Sequence, residues 1–177
     1  MDNLQVKFRE VNDRIKESAK VAGNNFDDIT LVTVTKSVGP QSIEQIIAAG
    51  AQDIGENRVQ EFTKKYQQVE QNVRWHLIGH LQSNKVKYLT GKISLIHSLD
   101  RVSLVKELQR VGKINNEIFD VLVQVNVSGE ESKFGLAPGK VEDMLIKASK
   151  ADHIRIKGLM TMAPYYTDPE KARPVFE

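Results

Sequence analysis

The chain has 177 residues, 40% apolar and 27% charged, which fits one soluble globular unit with enough length to bury a core without a metal or disulfide staple. It has no cysteine, which excludes a disulfide scaffold, a thiolate metal site and a cysteine nucleophile. Lys+Arg 25 against Asp+Glu 23 leaves a net charge of +2, without the one-sign stripe of a nucleic-acid module, and no apolar run reaches the ~18 residues of a membrane span. The expectation is a cytoplasmic protein that binds neither nucleic acid nor membrane, as a monomer or weak oligomer.

From the N-terminus, Leu4, Phe8, Val11, Ile15, Ala19 and Ala22 recur at steps of three and four, which predicts a helix over 2–22 ended by Gly23-Asn24-Asn25. A β-branched run over 30–35 follows, then Gly39-Pro40 opens a helix carrying Ile43, Ile46 and Ile47 that Gly50 closes. The unit repeats. A strand over 52–55 precedes a helix with Val59, Phe62, Tyr66 and Val69, and one over 73–79 precedes a helix through Val86 and Leu89. Strands over 93–98 and 119–127 precede helices with Leu104, Val105, Leu108 and Val111 and with Val141, Leu145 and Ala148, and a sixth strand spans 154–160. Such alternation implies right-handed crossovers and a parallel sheet with helices outside it. Asp168-Pro169-Glu170 reads as a helix cap and first turn.

Two architectures produce this pattern. A doubly wound dinucleotide fold wants G-x-G-x-x-G in the first βα turn, which here reads Thr35-Lys36-Ser37-Val38-Gly39. A (β/α)8 barrel wants eight units, typically ~250 residues, against the six counted, so a barrel with its C-terminal strands missing is the alternative. No linker or composition shift divides residues 1–177, so one domain is expected.

In either architecture function gathers beyond the carboxyl ends of the strands. Those positions hold Lys36, then Glu56-Asn57-Arg58, then His76 and Gly79-His80, then Ser98, Asp100 and Arg101, then Asn126, Ser128 and Ser132–Gly135, and last Met160-Thr161. Lys36 shares a strand face with Val32 and Val34, the face that a barrel turns inward and fills with branched side chains. There it has either little water, a lowered pKa and an amine free to attack a carbonyl, or a stem that snorkels off the strand end to solvent. The residues alone leave both open. His76 and His80 are four apart on strand and turn, where that spacing does not join two imidazoles on one metal, and Trp75 points away from His76 into core. Glu56 with Asp100 or Glu61 could be paired carboxylates, but they read as helix-start charges. Ser128–Ser132 reads as a polar loop, and Lys85, Lys87 and Lys92 as a solvated face.

Taken together, Val32–Lys36, Gly55–Glu61, Trp75–Lys85, Ser98–Arg101, Gln124–Asn126 with Ser132–Gly135, and Gly158–Met160 resemble the pyridoxal-phosphate homeostasis proteins related to the amino-terminal domain of alanine racemase. The resemblance implies a (β/α)8 TIM-type barrel, here about six βα units. It implies that Lys36 holds pyridoxal 5'-phosphate (PLP) as an internal aldimine, with Asn57, His80 and Met160 in or beside the cofactor pocket. It also implies a non-catalytic protein that buffers PLP and hands it to PLP-dependent apo-enzymes, rather than an amino-acid racemase or a Schiff-base aldolase. The family's Ser-Met-Gly-Met-Ser and Arg-x-Gly segments, which supply its phosphate site, do not occur in these residues, so weakened cofactor binding is expected.

Overall fold

The computed structural model describes residues 3–69, 72–130 and 133–177. Helix α1 (Asn3–Val21) lies against α2 (Pro40–Ala48), with the chain between them turning through residues 26–28, where the Asn25 side chain accepts from the Asp27 N–H. Strand β1 (Val32–Val34) precedes α2, and the chain continues through β2 (Asp53–Glu56), α3 (Val59–Tyr66), β3 (Arg74–Leu77), β4 (Leu95–Leu99), α4 (Val102–Asn115), β5 (Phe119–Gln124), α5 (Val141–Ala148) and β6 (Ile154–Met160). The expected helix through Val86 and Leu89 is instead a short stretch of 3-10 turns, Ser83–Tyr88, which still buries both side chains. Six residues are too few for a stable α-helix, and the tighter winding brings Val86 inward with Leu89 one turn on. The last element, Pro169–Val175, is also 3-10, and Asp168 caps it by accepting from the Glu170 N–H as the cap signal implied.

Strand order decides between the two architectures. The sheet runs β1-β2-β3-β4-β5-β6, every neighbour parallel to its predecessor. A doubly wound sheet must reverse direction at a switch point, whereas strands added always on the same side keep every right-handed crossover on one face. That is the winding of a (β/α) barrel, present as a six-stranded arc.

The helix-facing side of the arc is the core. Ile54 and Trp75 lie side by side in register there, as do Leu77 with Ile96 and Ile96 with Val121, packed with Ile43, Phe62, Leu104 and Leu108. Phe62 is 0% exposed and meets Tyr66 and Trp75 at ring-centroid distances of 5.5 Å each, so Trp75 is core as expected. Aromatic pairs of this kind contribute about 1 kcal/mol each beyond area burial.

The inner face departs from expectation. Branched side chains were expected to fill it, but it carries a polar column. Arg74 forks onto Asp53 at 2.7 and 2.6 Å, His76 Nε2 lies 2.8 Å from the same carboxylate, and His76 Nδ1 lies 2.9 Å from His97 Nε2. Asp53 and Arg74 are register partners, which brings their side chains to one face at neighbouring positions. Asp120 and Arg155, register partners on β5 and β6, repeat the fork at 2.6 and 2.9 Å. With Asp53 as acceptor, His76 donates through Nε2 and accepts at Nδ1 from His97. Burial, reinforced by His76 alongside, pushes His97 down to about 4, and burial also lowers His76 despite the opposing pull of Asp53. Burial raises the Asp53 carboxyl, but hydrogen bonds from Arg74 and His76 outweigh it and leave the group below its ordinary value.

Candidate functional site

The first part of the rim is built around the end of β1. Thr35, just past the end of β1, is buried on the helix-facing side against Glu56, and Lys36 follows it as an exposed residue of the turn. Thr35 Oγ1 donates to Glu56 Oε1 at 2.6 Å, while the Lys65 ammonium donates to Glu56 Oε1 and to Thr35 O at 2.7 Å each. The reading of Glu56 as a helix-start charge is therefore corrected: it is 0% exposed and ion-paired beneath the rim. It borders an open cavity of about 370 Å³ together with its neighbour Asn57, the exposed Arg58, Lys36, Ser37 and Glu61.

Lys36 itself is exposed, so of the two readings left open by the residues the one that sends its stem to solvent holds. β1 ends before it at Val34, itself 51% exposed on an edge strand of the arc. Among the described residues neither Lys36 nor Arg58 forms an ion pair, which leaves two cationic groups facing one cavity.

A second cavity of about 430 Å³ adjoins the first through Asn57, Arg58 and Glu61, and adds His80, Gln82 and Lys85. Its wall depends on Gly79, because a Cβ there would stand 2.3 Å from the Asn57 carbonyl oxygen, so only glycine lets the two loops approach this closely. His80 Nδ1 is 3.1 Å from Asp100 Oδ2, and Arg101 holds the other oxygen of that carboxylate at 2.6 Å. Ser98 Oγ donates to the Gly79 carbonyl at 2.7 Å. Ser98, Asp100 and Arg101, met in the sequence as rim groups, thus serve to hold the Gly79-His80 turn. The His80 ring stacks on Phe134, with centroids 4.0 Å apart and planes 20° off parallel.

Phe134 comes from the segment after β5, which Asn126 and Gln124 organise. Asn126 Nδ2 donates to the Glu130 and Lys133 carbonyls, its Oδ1 accepts from Ser128 Oγ and the Gly129 N–H, and Gln124 Nε2 donates to Phe134 O. The stretch read as a polar loop includes Glu131 and Ser132, which lie outside the described residues. Met160 ends β6 and lines a different, apolar cavity of about 450 Å³ with Val125, Leu159, Val175 and Phe176. The structure therefore joins Lys36 to Asn57 and Asn57 to His80, and sets Met160 at a separate cavity.

Residues 11–176 match the family model described as alanine racemase, N-terminal domain. A pyridoxal phosphate homeostasis protein of Aquifex aeolicus (strain VF5) is 42% identical over 175 residues, covering 98% of this chain and 77% of that protein. Among solved structures, an unknown protein from Bifidobacterium adolescentis superposes with a TM-score of 0.91 at 30% identity, over 99% of this chain and 78% of the other. PipY of Synechococcus elongatus PCC7942, solved with PLP bound, superposes with a TM-score of 0.77 at 27% identity, over 92% and 76%. The family match over most of the chain and the 42% identity to the Aquifex protein fix the group: the chain belongs to the pyridoxal phosphate homeostasis proteins, on the alanine racemase N-terminal domain fold.

Proposed function

We propose that this chain, as one barrel domain over residues 1–177, binds PLP covalently through Lys36 and acts in PLP homeostasis, holding the cofactor and releasing it to apo-enzymes rather than turning over a substrate. The observation that carries the proposal is that Lys36, in the turn at the carboxyl end of β1, lines a cavity with Asn57 and Arg58. The donor set fits the group: a primary amine for an aldehyde, the Arg58 and Lys85 cations for an anion, and the flat His80 ring for an aromatic plane. When bound, PLP supplies an aldehyde with which a primary amine condenses, losing one water. Lys36 is the covalent anchor, and Asn57 and His80 border the cofactor. Met160, at its separate apolar cavity, is left out of the proposed cofactor contacts.

The homeostasis role rests on the name borne by the Aquifex relative, and the PLP in the PipY structure supports the cofactor. The test of binding is the visible absorbance retained after incubation with PLP and exhaustive dialysis, expected for the natural sequence and abolished in Lys36→Ala. The test of the non-catalytic part is incubation with single amino-acid enantiomers in deuterated water. No sustained α-proton exchange is expected, and exchange with inversion that disappears in Lys36→Ala would make the protein a racemase.

A further inference from the structure

Every polar group of Thr35 is engaged. Its N–H donates to Gly55 O at 3.0 Å, its hydroxyl to Glu56 Oε1 at 2.6 Å, and its carbonyl accepts from Lys65 Nζ at 2.7 Å and from the Val38 N–H at 3.2 Å. The Thr35 carbonyl and the Lys36 N–H belong to one planar peptide unit, so holding that oxygen sets the plane from which the Lys36 Cα departs. The Lys65 ammonium and the Glu56 carboxylate that holds it lie on the helix-facing side, the Val38 N–H comes from the turn after Lys36, and Glu56 also borders the cavity that Lys36 lines.

The arrangement is a poor way to gain stability. Lys65 is 6% exposed and Glu56 0%, and the second carboxylate oxygen, Glu56 Oε2, has no hydrogen-bond partner among the described residues. Well-packed apolar side chains of similar volume stabilise a fold at least as well as a buried ion pair, and without an unpartnered oxygen. What apolar residues could not do is grip a backbone carbonyl. We propose that Thr35, Glu56 and Lys65 form a positioning clamp that sets the direction in which Lys36 presents its amine to the PLP aldehyde. This deepens the PLP reading and rests on it. Glu56 and Lys65 act through the backbone of residue 35 and are positioning residues.

The test uses the full chain in four forms: the natural sequence, Thr35→Val, Thr35→Ser, and the double variant Glu56→Gln/Lys65→Met, which removes both buried charges together. Covalent capture of PLP at Lys36 is followed by absorbance and borohydride trapping, and the asymmetry of the bound chromophore by its induced circular dichroism. Amide exchange at Lys36 and Val38 is read without cofactor, and acylation of Lys36 by acetic anhydride serves as a reaction that needs no orientation. In Thr35→Val and the double variant, capture is expected to slow about ten- to a hundredfold with loss of induced dichroism and faster exchange, while acylation changes by less than about twofold. Thr35→Ser, which keeps the hydroxyl that Thr35→Val removes, is expected to match the natural sequence. Unchanged capture and dichroism in folded Thr35→Val would overturn the clamp while leaving Lys36 as the anchor, and that variant decides alone if the double variant does not fold. Absence of label on Lys36 in the natural sequence would overturn both.

Discussion

Replacing Lys65 by methionine strands a carboxylate. Glu56 would keep only the Thr35 hydroxyl on Oε1 and nothing on Oε2, in a position from which water is excluded. Removing one partner of such a pair costs about 3–5 kcal/mol, because the remaining charge must stay desolvated or take up a proton. For a chain of this size ~1 kcal/mol moves the melting temperature by about 2–4 °C, so Lys65→Met is expected to melt roughly 6–20 °C lower. Glu56→Gln alone should cost a comparable amount, since it leaves the Lys65 ammonium with the Thr35 carbonyl and a neutral amide. Combining the two removes both charges, and the double variant should return to within about 2 kcal/mol of the natural sequence. The assay is urea unfolding of all four proteins by linear extrapolation, with the denaturant slope checked for constancy. Additive losses, or single variants each costing under ~1 kcal/mol, would refute the claim that this pair is desolvated and coupled.

Stability should also fall with acid in a stated window. His97 binds its proton near 6.5 when unfolded and only at about 4 when folded, and His76 is lowered in the same direction, so below about pH 6.5 the unfolded chain takes up protons that the fold refuses. The His97 share reaches at most about 3 kcal/mol by pH 4, about half that once solvent near the half-buried ring is allowed for, and melting temperatures from pH 7 to 4 should show a decline that His97→Gln flattens. Asp53, held below its ordinary value, extends the loss beneath pH 3.8. Phe62→Ala should destabilise by about 3–5 kcal/mol in the same urea assay, because it empties the contact between α3 and β3. In Gly79→Ala the new Cβ meets the Asn57 backbone at 2.3 Å, so a loss of about 1–3 kcal/mol is expected, with weaker PLP retention although Lys36 is intact.

Period and punctuation were enough to find the six strands and every helix but the one expected through Val86 and Leu89, because each helix has one apolar stripe and each strand is closed by glycine or a polar turn. Ile154–Met160 emerges with its expected limits, while the strand expected over 119–127 ends at Gln124 and Val125 crosses to bridge Leu136. What local pattern could not decide was the winding, since strand order depends on which side of the sheet each crossover returns to. The polar inner column was equally hidden: Asp53, Arg74, His76 and His97 come from three strands and acquire meaning only in register. Lys65 was the one missed residue that left a trace. It lies three after Phe62 and four before Val69 on the apolar stripe of α3, where a lysine has to find a buried partner. Alternation carried Lys36 along the face of Val32 and Val34, but β1 ends at Val34 and Lys36 lies exposed in the turn that follows, which alternation does not report.

The central claim is that Lys36 is the residue that captures PLP. Its most direct measurement is borohydride reduction of the PLP-treated protein followed by proteolysis and mass mapping of every lysine-containing peptide. The account expects one phosphopyridoxyl group per chain, on Lys36, and none in Lys36→Ala. Label distributed over other lysines with Lys36 unmodified would contradict it.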